Sequence, residues 1–527
     1  MAARATMALV LHGHLPYAEI GAESDRLGER WLLEALWECY LPLEAMLERL
    51  AADAVTAPIT LSISPPLAAM LRHPRLARRL DEHLEALSEV NARARRRVAA
   101  DPALEAVGAS YAKRLCWTIE RWHALDGDLL GALGRHRAAG RLELMSSSVT
   151  HAYLPGLGIE PEAVRAQLRL GLRYFERLSG HRPIGLWLPE CAYDERVGAE
   201  LARARVGYTV LDGHGVDRAL PRPPAGTRQP VLGPAGVAYF GRDQAASHQV
   251  WSRAHGYPGD PVYREFYRDV GYELSEDELA GLGARLMTGL KYYRITGAGA
   301  HKQPYVPEEA LRRSEEHAAH FVGSCTNRLD RAAESIDAPI LVAAYDAELF
   351  GHWWFEGPSF LERVLRLLGH HPTVRPTTLG GYLAEHPSCA VAEPSSSSWG
   401  EGGYGQVWLG PPTARLWRQV HATHRQVRAA VQQHRDAVGL RGLALDQAIR
   451  ESLLLQSSDW PFMLHGGQLA GFASAQLAAH FARAERLVQI VLAAEIGDEQ
   501  ERFLRELCGK GGLLGELAGE QLRDCFD

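Results

Sequence analysis

The sequence predicts an α/β protein, a parallel sheet wrapped by helices, with an all-helical region after it. Three observations point that way. Short β-branched and apolar runs alternate with longer helical stretches, as strands do with crossover helices. Nearly every such run leads directly into a polar or aromatic cluster, and in parallel α/β barrels functional groups gather at the carboxyl ends of the strands. From Thr413 onward the strand signal stops and Ala, Leu, Arg and Gln dominate.

In chain order, the first strand is expected at Met7–Leu11, running into His12-Gly13-His14-Leu15-Pro16, with a helix over Asp25–Leu50 behind it. A second strand is expected at Ile59–Ile63. Residues 66–140 contain no convincing strand and read as a helical insertion between two barrel strands. The third strand, Leu142–Met145, ends in a Ser/Thr run closed by His151, and Glu160–Leu178 follows as a helix. Ile184–Leu188 ends at Pro189-Glu190, Tyr208–Leu211 at Asp212-Gly213-His214, and Val237–Phe240 at Gly241-Arg242. After a helix at Pro307–Leu329, the strand Pro339–Ala344 opens onto Tyr345-Asp346-Ala347-Glu348, and Val374–Thr378 is a further candidate. Ser395–Ser398, beside Gly400, Gly402 and Gly403, reads as a loop. The expected division is a catalytic barrel over 1–65 and 141–395, an insertion over 66–140, and a helical domain over 396–527 that completes the active-site cleft.

Composition narrows the function. With 527 residues and 46% hydrophobic content there is ample material for a large core. A net charge of -7 argues against a nucleic-acid partner, because phosphate binding needs a concentrated basic field. The run Arg95–Arg97 reads as a solvated helix face. Seven cysteines lie far apart without a CxxC pair, which suits a reducing compartment. The apolar stretch Met7–Leu11 is too short for an export signal, and no run approaches the roughly 20 residues that span a bilayer. A soluble, cytoplasmic protein is expected.

Pro189 biases Leu188 towards extended backbone, so the strand should end there with the Glu190 carboxylate at the barrel mouth. The plainer reading is a surface acid at a helix start. Asp346 follows a run with the composition of a buried strand; its plainer reading is a helix N-cap. Together, two carboxylates on separate strand ends suit a sugar hydrolase or transferase, in which one attacks the anomeric carbon and the other protonates the leaving oxygen. His12 and His14, two apart in an extended segment, share a face. They either begin a metal site, which His151 or Asp212 would have to extend, or donate hydrogen bonds to sugar hydroxyls. Twelve tryptophans are present, and Trp251, Trp353, Trp354, Trp399, Trp408 and Trp460 sit near Gly, Pro, Ser or His. Indoles in such places stack on sugar faces, so the set favours a polymer-binding cleft.

These residues fall into longer motifs. The chain resembles family 57 of the glycoside hydrolases over essentially its whole length, and within it the 1,4-α-glucan branching enzymes. The resemblance rests on His12-Gly13-His14-Leu15-Pro16-Tyr17, His151, the segment Trp187–Tyr193, Trp251 with Gly256-Tyr257-Pro258-Gly259, the segment Tyr345–Trp354, Ser398-Trp399-Gly400, and the segment Ser457–Phe462. It implies an incomplete (β/α)7 barrel with a helical insertion and a helical C-terminal domain. It also implies Glu190 as nucleophile, Asp346 as general acid/base, glucan contacts from Arg242, Gly259, Trp399 and Asp459, and no metal or organic cofactor. Branching members usually carry a longer, tyrosine-bearing loop over the active site; the stretch 213–236 is short, rich in Pro and Gly, and has no Phe, Trp or Tyr. If that loop shields the intermediate from water, shortening it favours hydrolysis. The expectation is therefore a retaining branching enzyme acting on an α-glucan, with an α-glucan hydrolase or 4-α-glucanotransferase as the alternatives, and a metal-dependent deacetylase as a remoter one.

Overall fold

A computed structural model describes residues 4–526 apart from 253–255, 280–281, 283–285, 298, 300, 509–511 and 518. Seven parallel strands carry the molecule: β1 (Ala5–Gly13), β2 (Ile59–Ile63), β3 (Leu142–Ser147), β4 (Leu186–Trp187), β5 (Tyr208–Leu211), β6 (Ala238–Gly241) and β7 (Ile340–Asp346). Pairing runs β4-β3-β2-β1-β7 in one curled sheet, which the short strand Val374–Pro376, expected over 374–378, joins parallel to β1, and β5-β6 in another. Single parallel bridges at Gly185–Tyr208 and Arg242–Val342 join the two, so the strand order runs round a ring. Gly185 permits the first junction, since a Cβ there would lie 2.3 Å from the Tyr208 ring. Along β1 and β2 every residue is buried, the pattern of strands covered on both faces.

Helices wrap this ring as the sequence predicts, with differences that have physical causes. The expected helix 25–50 is instead Arg26–Ala35, a π-helical turn Leu36–Tyr40, and Leu41–Ala52. The wide turn accompanies an inward-facing pair, Glu38 and Tyr40, that periodicity alone does not reveal. Residues 65–138 form four helices, of which Leu76–Val98 and Pro102–Ala124 pair as a hairpin. That hairpin is not free-standing. Tyr292 donates to Asn91 (2.9 Å) and Tyr111 to the Lys291 carbonyl (3.0 Å), so it packs on the irregular segment between Trp251 and Pro307. Two short strands escaped the sequence reading, Val231–Leu232 and Ala390–Val391; at two residues each they are too short to show alternation.

After Thr413 the described chain is helical. Gly439–Leu454 and Ala470–Leu492 pack closely together, and Asp459–Gly466 lies between them in sequence. This region is pinned to the ring by Gln167, which is fully buried. Its amide donates to Thr150 Oγ1 and Gln456 Oε1, both at 2.8 Å, while Thr150 Oγ1 donates to the Leu453 carbonyl (2.7 Å). Those bonds place the segment following Gln456 over the carboxyl ends of β3 and β4.

Candidate active site

Strand β4 stops where Pro189 dictates. Leu188 is extended (φ -71°, ψ 124°), and Glu190 then turns into the left-handed region (φ 63°, ψ 21°). Cys191 (φ 47°) and His151 (φ 54°) also have positive φ. Each costs a non-glycine residue about 1–2 kcal/mol, and strain of this kind persists only where surrounding contacts fix it. Here they do. The Glu190 carbonyl accepts from the Trp399 amide (3.1 Å), Trp399 Nε1 donates to Oε2 (2.8 Å), and the Ser458 hydroxyl donates to Oε1 (2.8 Å). The helix-start reading of Glu190 fails on position, because Asp194 caps the next helix by accepting from Val197 N.

Asp346 is the last residue of β7 and pairs in register with His12 of β1. It precedes the turn Ala347–Leu349, yet its side chain makes no capping hydrogen bond, so the N-cap reading finds no support. Among the described residues no donor reaches its carboxylate. Burial, then Glu348 and Glu190, push its pKa well above the usual value, against the pull of Arg242. Burial also raises Glu190, but there the bonds from Trp399 and Ser458 work the other way. Both pKa values end up raised, Asp459 adding to the rise at Glu190, but the partners differ: Glu190 holds two hydrogen bonds that favour the anion, whereas Asp346 has only the pull of Arg242 against two acidic neighbours.

Between them lies a stack of rings. His12 lies on Trp187 (4.8 Å between centroids, 14°) and beside His151 (5.0 Å), which in turn stacks on His14 (3.6 Å, 16°). The ring nitrogens are occupied. His12 Nδ1 meets Ser62 Oγ (3.1 Å), His14 Nδ1 meets Ser64 Oγ (2.8 Å), His14 Nε2 meets Asp459 Oδ2 (3.2 Å) and His151 Nδ1 meets Ser458 Oγ (2.9 Å). Stacked imidazoles with their lone pairs directed at serines and at each other do not converge on one point. Asp212, the other ligand considered, instead takes Arg242 Nη2 (2.5 Å) and His214 Nδ1 (3.0 Å). Those two outweigh its burial and hold its pKa down at about 2. Arg242, so anchored, lies over the Trp399 ring at 5.3 Å, and Trp251, 42% exposed, meets the same indole edge-on at 6.3 Å.

Glu190, Asp346, His12, His14, His151, Arg242, Trp251, Trp399 and Asp459 thus gather at one place. Three expected glucan contacts do not join them. Trp408 is 1% exposed, stacks on Tyr153 at 5.0 Å, and accepts at its carbonyl from Trp417 Nε1; it is a packing residue. Trp460 is 4% exposed and donates its indole N–H to the Leu454 carbonyl (2.8 Å), which fixes the helix it begins rather than leaving a face for a sugar. Gly259 sits in a turn whose Tyr257 packs on His317 and donates to or accepts from His320, and among the described residues that turn makes no hydrogen bond to the cluster. Conversely, Ser458, Ser62, Tyr40 and Glu348 were not anticipated. Tyr40 donates to Glu348, which also accepts from the His14 amide (3.0 Å). The only sequence signal for Ser458 was its place beside Asp459 in a recognised motif.

Two carboxyls, one hydrogen-bonded and one without a donor among the described residues, at the carboxyl edge of a parallel (β/α) ring, bordered by histidines and tryptophans, define the class as a carbohydrate-active enzyme. The chain belongs to glycosyl hydrolase family 57: that family's model matches residues 8–388, and a model described as the C-terminal region of 1,4-α-glucan branching enzymes matches residues 419–518. It is 35% identical over 545 residues to a probable 1,4-α-glucan branching enzyme of Mycobacterium tuberculosis, covering 98% of this chain and 97% of that one. The crystal structure of a family 57 branching enzyme from Pyrococcus horikoshii superposes with a TM-score of 0.89 at 29% identity, covering 98% and 97% of the two chains. That of an α-amylase from Thermotoga maritima also reaches 0.89, at 31% identity and 99% coverage of both.

Proposed function

We propose that the protein is a retaining 1,4-α-glucan branching enzyme. Glu190 attacks C1 of an α-1,4-linked glucose as Asp346 delivers its proton to the departing O4. The Asp346 carboxylate then takes the proton of an acceptor 6-hydroxyl, and that oxygen displaces Glu190 from C1. Two displacements at one carbon leave the α configuration unchanged and create an α-1,6 branch. The observation that carries this reading is the contrast between the two carboxyls, which assigns the nucleophile to the hydrogen-bonded one and the acid to the one held protonated. Trp251, Trp399, Arg242, His14 and Asp459 would border the sugar. Glycogen or a related intracellular glucan is the proposed polymer, in a cytoplasm whose reducing conditions suit seven unpaired cysteines. The division into barrel, insertion and helical C-terminal domain is proposed with it.

The second reading, α-glucan hydrolysis, is less favoured and rests on one feature of the chain. The stretch 213–236 folds back on itself, with Thr227 N donating to Asp217 Oδ1 (3.1 Å), and offers no aromatic side chain to close over an intermediate. An aromatic residue does stand beside it. Tyr404 meets His214 edge-on at 5.4 Å and accepts from Arg218 Nη1 (2.7 Å). Incubating the enzyme with unbranched amylose and counting new α-1,6 linkages against new reducing ends decides. Branching predicts linkages in clear excess; reducing ends alone mean hydrolysis, and longer unbranched chains mean 4-α-glucanotransfer. Turnover that vanishes on chelation would return the deacetylase class.

A further inference from the structure

Five side chains form an unbroken file of hydrogen bonds ending on Glu190. Ser62 Oγ lies 3.1 Å from His12 Nδ1, His12 Nε2 lies 2.9 Å from His151 Nε2, His151 Nδ1 lies 2.9 Å from Ser458 Oγ, and Ser458 Oγ lies 2.8 Å from Glu190 Oε1. Ser62, His12, His151 and Ser458 are all buried. They come from three strand ends of the ring and, in Ser458, from the helical region after it.

The Nε2-to-Nε2 contact constrains the protons. A neutral imidazole has one N–H and one lone pair, so one of the two rings must donate and the other accept. Burial, and then the neighbouring His14, hold both histidines well below the usual pKa, so both are neutral. An ionised carboxylate accepts only. Ser458 must then donate to Glu190, and its oxygen accepts from His151 Nδ1–H. The free His151 Nε2 accepts from His12 Nε2–H, and His12 Nδ1 accepts from the Ser62 hydroxyl. Each contact in the file then pairs one donor with one acceptor. The opposite polarity needs a proton on Glu190.

We propose that Ser458 is a positioning residue, and that the file Ser62–His12–His151–Ser458 is a one-way relay of hydrogen bonds that holds Glu190 in its anionic form, ready to attack. The proposal rests on Glu190 being the nucleophile. It gives the C-terminal helices a part in the chemistry itself: without residue 458 the relay has no last member. When the glucosyl ester forms, the carboxylate charge disappears and the final bond weakens to one between neutral groups. When the ester is cleaved, the same polarity is already in place to receive the anion.

The pH dependence of kcat/KM on a soluble maltooligosaccharide tests this. Ser458→Ala removes a hydrogen bond that favours the anion and should move the acidic limb up by about one to two pH units, with turnover recovering at higher pH, and Ser458→Thr should restore the original limb. The other titratable groups facing Glu190 are Asp459, His14, Asp346, Tyr153 and Cys191, and both variants leave them in place. A loss of activity by the same factor at every pH, or an unmoved limb, would overturn the proposal. A second readout needs no variant. The 15N shifts of the histidine rings in the wild-type protein at pH 7 should show His151 protonated at Nδ1 and His12 at Nε2; the reverse tautomers would sink it. Failure of the nucleophile reading is separately visible, as turnover surviving Glu190→Gln.

Discussion

Asp346 illustrates how a residue can be costly to the fold and necessary to the reaction. It ends a buried strand with no hydrogen-bond donor among the described residues, beside two other carboxyls, and its folded pKa lies well above the ordinary 3.8. A carboxyl raised in this way contributes stability in full below its unfolded value, and that contribution is lost as pH rises through the folded value. At neutral pH the native protein therefore carries the cost of a buried, crowded acid. Asp346→Asn removes the cost with little change of shape. It is expected to melt at a higher temperature than the native protein at pH 7, the gap closing on acidification towards pH 4, while kcat falls by about 10²–10⁴-fold. A variant that melts lower at pH 7 would show that Asp346 is held by favourable contacts instead.

Elements place these residues through a few local devices, and the loop leaving β7 shows them best. Gly351 has φ 120°, and a Cβ there would lie 2.0 Å from the Glu38 carbonyl in the π-helical turn. The glycine of the Tyr345–Trp354 segment is thus a packing requirement. Gly351→Ala must displace backbone and is expected to lower the melting temperature and activity together; wild-type stability would mean the loop has slack. Much of this scale was legible in the sequence. β1, β3, β5 and β7 announce themselves by apolar runs ending in polar clusters, β2 by its apolar, β-branched run alone, and Pro189 announces the end of β4. What escaped were features set by contacts between distant segments. The π-helical turn is shaped by Glu38 meeting Arg264 and His352, far along the chain. Trp408 and Trp460 have the neighbours of loop tryptophans, yet each starts or lies in a short helix whose core side is hidden from periodicity. Ser458 and Ser62 have no spacing rule to mark them, because their partners are histidines on other strands.

On the scale of the molecule, the site is a seam between the ring and the helices that follow it. Glu190, His151 and His14 each bond to a residue of the Ser457–Phe462 segment or its neighbours, so neither part presents a finished site alone. Gln167 is the principal buried polar tie across that seam. Gln167→Ala would orphan Gln456 Oε1 and the Thr150 backbone N–H, at a cost of about 1–3 kcal/mol, readable as a lower midpoint in urea unfolding. An unchanged midpoint would show the seam to be held by apolar packing only.

All of this depends on Glu190 becoming covalently attached to the sugar. A fluorinated α-glucosyl fluoride, whose second fluorine slows breakdown of the ester, allows that bond to be seen by mass spectrometry of a protease digest. The added fluoroglucosyl mass, left after the anomeric fluoride departs, is expected on the peptide containing Glu190 and is expected to be absent from the Glu190→Gln protein. The same mass on the Asp346 peptide, or steady turnover of a natural glucan by Glu190→Gln, would contradict the account.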